Sequence, residues 1–197
     1  MLKYVFVFFS VLQIVSCRPK DSESAESAPL ASATGSDSIA DSFFPVTNYL
    51  KGQVNDIRLK AVNPIIYITK NNVLDSAWLK TENLEKEMSP FFESLIDTAN
   101  LKELFSEKKF LDQTLNAFTF TYDPKASLPD SLSLQHWDVY VDPNTNKVKR
   151  IYIIRKVADK QQQLTWQSDK WCKIVTIGTD KNNTNYVEKE VLIKWDF

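Results

Sequence analysis

Few residues of this 197-residue chain are of a type that does chemistry. Its single histidine lies in the run His136-Trp137-Asp138-Val139-Tyr140, so in an extended strand His136, Asp138 and Tyr140 share one face. A His–Asp pair is the raw material of acid–base catalysis, in which an imidazole moves a proton and a carboxylate orients the ring. Three features weigh against that use. Same-face neighbours on a strand lie well apart, no nucleophile stands beside them, and an ionisable pair indicates a site only within a cleft. The favoured reading is a mixed polar and aromatic sheet surface. His136, Asp138 and Tyr140, joined by Arg150 and Tyr152 of the following strand, form the candidate binding face, since arginine and tyrosine suit interfaces. No residue is assigned a catalytic role.

The remaining reactive groups point the same way. Cys172, between Trp171 and Ile174, reads as a packed structural cysteine rather than a reactive thiol. One histidine and one such cysteine leave no zinc site of usual spacing, and three glycines are too few for a phosphate cradle or a dinucleotide fingerprint. Neither a metal nor a cofactor is expected. Asp138 with Glu188 or Glu190 would supply the two carboxylates of a glycoside hydrolase, but no spacing in sequence supports the pairing. A net charge of −1, with Lys and Arg scattered rather than striped, argues against nucleic acid as a partner. The five tryptophans suit either a core or a carbohydrate- or lipid-binding surface.

The element that must position the candidate face is a hairpin, His136–Asp142 running into Val148–Arg155, both arms alternating apolar and polar. Pairing Val139 with Ile151 sets Trp137 opposite Ile153, leaves Pro143–Lys147 as the loop, and puts Asn146 in the left-handed region. This hairpin is expected at the middle of the sheet. Before it, Val46, Leu50, Val54 and Ile57 form a helical stripe, with Ser42 or Thr47 as its cap. Ile65–Thr69 reads as a strand. A helix is expected from Thr81 through Leu84, Met88, Phe91, Phe92 and Leu95, kinked or restarted at Pro90, then a short helix capped by Asp97 or Thr98 and bearing Leu101, Leu104 and Phe105. From Phe110 the period becomes two. Strands follow around Phe118–Tyr122, in the hairpin, from Leu164 to Gln167, from Trp171 to Ile177 and from Val187 to Trp195. The expected class is α+β: N-terminal helices packed on one face of a curved, mainly antiparallel sheet, in a single globular domain over residues 43–197.

The N-terminus has a different character. Lys3 precedes an apolar run, Tyr4 to Val15, of signal-peptide length and too short to span a membrane. It ends in Ile14-Val15-Ser16-Cys17, which resembles the lipobox of bacterial lipoproteins, with Ile14 where leucine is commonest. The resemblance implies a signal peptide over 1–16, a diacylglyceryl group on the Cys17 sulfur, and usually a further acyl chain, such as palmitate, on the new amine. Two or three acyl chains make a stable membrane anchor where one is marginal. Residues 17–42 then form the lipidated cysteine and a flexible tether rich in Ser, Ala, Asp and Glu. The domain beyond resembles uncharacterised envelope lipoproteins. These features imply a protein held to the bacterial cell envelope, at the periplasmic or surface face of the outer membrane. Its expected role is a noncatalytic binding or accessory module for an envelope protein or polymer. The alternatives are a carrier or acceptor of lipid-like ligands between sheet and helices and, third, an envelope hydrolase. A vacant apolar space between helices and sheet would favour the carrier, and a filled core with an exposed aromatic face the binding module.

Overall fold

A computed structural model describes residues 43–60, 62–96 and 101–196. Cys17, the lipobox and the tether lie outside the described residues, as do Ser42, Asp97 and Thr98. The dominant element is a nine-stranded sheet, antiparallel at every pairing, in the order β2-β1-β9-β8-β7-β6-β5-β4-β3. Its strands are β1 (Ile65–Lys70), β2 (Val73–Trp78), β3 (Phe105–Asp112), β4 (Ala117–Pro124), β5 (Leu134–Val141), β6 (Val148–Val157), β7 (Lys160–Gln167), β8 (Trp171–Thr179) and β9 (Asn185–Lys194). β3 to β9 form an uninterrupted meander, and the β1–β2 hairpin joins it through β1 and β9.

Helix is scarcer than the sequence suggests. α1 (Val46–Leu59) is the only described helix longer than four residues; α2 (Leu84–Glu87) and α3 (Leu101–Leu104) are single turns. Among the described residues, no helix is long and apolar enough to cross a membrane. The expected helix from Thr81 is broken into a 3₁₀ turn at Thr81–Asn83, α2, and a second 3₁₀ turn at Ser89–Phe91. Pro90 accounts for the second break, since it has no amide to continue the ladder and its ring crowds the preceding turn. Leu84, Met88 and Phe91 are buried as their spacing requires, whereas Leu95 is exposed. Phe105 opens β3 rather than closing a helix.

The two periodicities are met where they are cleanest. Val46, Leu50, Val54 and Ile57 are all buried along α1. Its entry residue, Pro45, makes no side-chain cap. The Thr47 hydroxyl accepts from the Ile96 amide at 3.0 Å and so ties the helix to the loop beyond the 3₁₀ turns. In the β5–β6 hairpin Val139 pairs with Ile151 and Trp137 with Ile153, and Asn146 has φ 55°. The hairpin lies off centre, however: β7 is the middle strand.

Alternation sorts the sheet into two faces. Following the register from strand to strand, Val139, Ile151, Trp166, Cys172, Ile193 and Ile66 form one row of the core face. Trp137, Ile153, Leu164, Ile174 and Val191 form the next. All are buried, in one hydrophobic cluster with the stripe of α1 and with Leu84, Met88 and Phe91. Trp137 stacks on Tyr122 at 4.4 Å, and Phe91 meets Trp166 edge-on at 5.3 Å. β2 was not expected. All of its residues are exposed, and the two-residue loop Asn71-Asn72, with both φ positive, joins it to β1.

Candidate functional site

The face opposite the core carries the side chains that alternate with it. The five residues of the predicted binding face, His136, Asp138, Tyr140, Arg150 and Tyr152, all lie there, because β5 and β6 pair Asp138 with Tyr152 and Tyr140 with Arg150. Their contacts are closer than strand spacing suggested. His136 and Asp138 sit about 6.6 Å apart along the strand, but their side chains lean together, so that His136 Nε2 lies 3.1 Å from Asp138 Oδ2. On the other side of the ring, Nδ1 lies 3.0 Å from Asp123 Oδ1. The imidazole thus bridges two carboxylates, one from β4 and one from its own strand.

Each carboxylate is engaged further. Thr121 Oγ1 donates to Asp138 Oδ1 at 2.6 Å, and the Tyr140 hydroxyl donates to Asp138 Oδ2 at 3.2 Å. Lys108 Nζ pairs with Asp123 Oδ2 at 2.9 Å. The consequences for protonation are coherent. Hydrogen bonding to Asp138, and then to Asp123, raises the His136 pKa and favours the protonated ring, against the opposing effect of burial. Burial would raise the Asp138 pKa, but its donors outweigh this and lower it. Lys108 chiefly, with His136, lowers that of Asp123. Burial, and then the neighbouring Asp138 charge, pushes the Tyr140 hydroxyl up to about 12. A general base needs a ring nitrogen with a free lone pair facing substrate, and here each nitrogen lies against a carboxylate oxygen instead. The carboxylates also face opposite ring nitrogens, so they do not converge on a common ion. Among the described residues no group of His, Cys, Asp and Glu could hold a metal.

The hydrolase pairing fails on distance. Asp138 on β5 and Glu188 and Glu190 on β9 are four strand positions apart, about 19 Å, against the 5–9.5 Å or so that glycoside hydrolysis uses. Glu188 instead pairs with Lys160, and Glu190 with Lys173. Cys172 is fully buried in the core, where desolvation raises its thiol pKa and leaves it unreactive.

Beyond the bridged histidine, the register lays Tyr140, Arg150, Gln167 and Trp171 side by side on adjacent strands. Arg150 Nε donates to Gln167 Oε1 at 3.1 Å, and Gln167 Nε2 donates to the Lys149 carbonyl at 2.9 Å. Two open grooves flank this row. One of about 120 Å³ lies beside Tyr140 and Arg150, and one of about 300 Å³ lies over Trp171, Lys173, Leu192 and Lys194. Tyr152 meets the edge of the His136 ring at 6.5 Å.

Asp123, Thr121, Lys108 and Gln167 were not anticipated from sequence. Asp123 reads as a turn residue because Pro124 follows it; only the β4–β5 register, which pairs Thr121 with Asp138 and Tyr122 with Trp137, brings it to His136. Of the tryptophans, Trp137, Trp166 and Trp195 are core, whereas Trp78 on β2 is exposed. No protein-family model, curated protein or solved structure matches the chain.

Proposed function

We propose that this is a lipid-anchored lipoprotein of the bacterial cell envelope whose domain is a noncatalytic binding module. It is tethered through acylated Cys17 at the periplasmic or surface face of the outer membrane. In this reading the N-terminal helices lie on one face of a curved sheet and leave the other face to an envelope protein or polymer. The anchor rests on Lys3, the apolar run and Ile14-Val15-Ser16-Cys17. The binding role rests above all on the difference between the two sheet faces. One is filled: Trp137, Trp166, Tyr122, Phe91 and Phe105 are each 1% exposed or less. The other offers tyrosine, arginine and tryptophan in a row, with Arg150 held by hydrogen bonds through Gln167, the composition of interface anchors.

A carrier of lipid-like ligands would need vacant apolar space where these core aromatics sit, so the filled core favours the binding module. A hydrolase would need a free imidazole nitrogen or a close carboxylate pair. The reading is tested in two steps. Fatty-acid labelling should mark the wild type and spare Cys17→Ser. Capture of the envelope partner, at a temperature where both variants are folded, should fall further for Tyr140→Ala than for His136→Gln. Acylation of Cys17→Ser, or a turnover in the purified protein that His136→Gln abolishes, would overturn it.

A further inference from the structure

We propose that the groove beside Arg150 is a carboxylate-binding site, through which the outer face of the sheet holds an acidic ligand. The proposal rests on the reading of that face as the recognition surface. The groove, about 120 Å³, is lined by Leu115, Ala117, Tyr140, Lys149, Arg150 and Gln167. Its cation is fixed in advance. Arg150 is half-buried and spends its Nε on Gln167 Oε1, while Gln167 is itself held by the Lys149 carbonyl. Lys149 is the extra residue of the bulge that follows the Tyr140–Arg150 pair. Its Nζ donates to the carbonyls of Leu115 at 3.0 Å and Asn116 at 3.2 Å, which ties down the β3–β4 turn as one wall.

The two terminal nitrogens of Arg150 have no partner among the described residues. Neither nearby carboxylate pairs with it: Asp112 Oδ1 accepts the amides of Thr114 and Leu115, and Asp138 is shared by His136, Thr121 and Tyr140. What remains is a guanidinium fork whose orientation costs little further entropy on binding. Its two free ends suit the two oxygens of a carboxylate, whereas a phosphate would call for more unpaired donors than the groove offers. The groove exceeds the space that one water needs and admits a carboxylate and a short stem. The rest of the ligand would lie along the row toward Trp171, which pairs with Gln167 one strand further on.

The test is a titration of the full-length chain in detergent, labelled with ¹⁵N-arginine, read at the Arg150 Nε–H resonance. Glutarate, a glutamate-rich peptide and polygalacturonate separate a small acid, a protein and a uronate polymer as sources, and inorganic phosphate is the contrasting anion. The expected result is a saturable shift with at least one carboxylate, tighter than with phosphate. It should be lost in Arg150→Gln and weakened about tenfold in Arg150→Lys, which keeps the charge without the fork. Should Arg150→Gln fail to fold, Gln167→Ala decides instead by releasing the guanidinium and weakening the same shift. A resonance that does not move, follows ionic strength alone, or prefers phosphate would overturn the proposal. So would binding that persists in Arg150→Gln, and loss of that binding in Tyr140→Ala would leave the recognition face standing without its carboxylate site.

Discussion

Replacing His136 with glutamine removes the imidazole that bridges Asp123 and Asp138 while leaving a side chain of similar reach. Both carboxylates keep other donors, Lys108 for Asp123 and Thr121 with Tyr140 for Asp138, so the loss is smaller than for a buried pair stripped bare. Hydrogen bonds to charged groups contribute about 1.5–3 kcal/mol each, and glutamine recovers part of one, which sets the expected loss at about 2 kcal/mol. For a domain of this size that corresponds to a fall in Tm of about 4–8 °C. The loss must also depend on pH. The folded-state pKa of His136 is raised above 6.5, so its contribution is complete below that value and disappears as pH rises through the folded pKa. The pKa values of Asp123 and Asp138 are lowered from 3.8, so their contributions are present above that value and disappear as pH falls through the folded pKa values. The gap between wild type and His136→Gln should therefore be widest between about pH 4 and pH 6.5 and narrow as pH rises through the folded pKa of His136. Thermal melts followed by circular dichroism across this range measure it. Equal stabilities at about pH 5, or a gap that does not narrow as pH rises into the alkaline range, would refute the bridging role of the ring.

Other substitutions probe the frame around the face. Asn146→Gly should leave the Tm level or raise it slightly, because Asn146 already holds φ 55° and glycine carries no steric cost there; a clear fall would contradict the turn geometry. Arg155, 4% exposed, donates to the Pro90 carbonyl at 2.7 Å and pairs with Glu93, clamping the second 3₁₀ turn to β6. Arg155→Ala should cost about 1.5–3 kcal/mol in urea unfolding, since it removes the charged hydrogen bonds of a buried guanidinium, while the half-exposed Glu93 left behind is solvated. A loss under about 0.5 kcal/mol, the level of an ordinary surface substitution, would show that the clamp carries no weight.

What sequence discloses about this fold depends on how strictly a segment alternates and how far its pairing partners lie. The β5–β6 hairpin is legible down to its register because both arms alternate and a one-residue slip would expose Trp137 and Ile153. The stripe of α1 is legible for the same reason at helical period. β2 is not, since Val73-Leu-Asp-Ser-Ala-Trp78 does not alternate and buries no residue; the signal was the Asn71-Asn72 pair beside it. The segment from Thr81 to Leu95 misleads, because its apolar spacing is helical while Pro90 divides it into separate turns. The candidate face was half legible. His136, Asp138, Tyr140, Arg150 and Tyr152 follow from one hairpin. Asp123, Thr121, Lys108 and Gln167 arrive from β3, β4 and β7, through registers that no local pattern specifies.

The central claim is that the face opposite the core is the one that meets a partner. It is tested most directly by placing a photo-crosslinking phenylalanine analogue at Tyr152, on that face, and separately at Lys51, on the exposed side of α1, with the full-length protein expressed in its native cells. A discrete adduct is expected from position 152, diminished by Tyr140→Ala, and none from position 51. Adducts of equal yield from both positions, from position 51 alone, or from neither would contradict it.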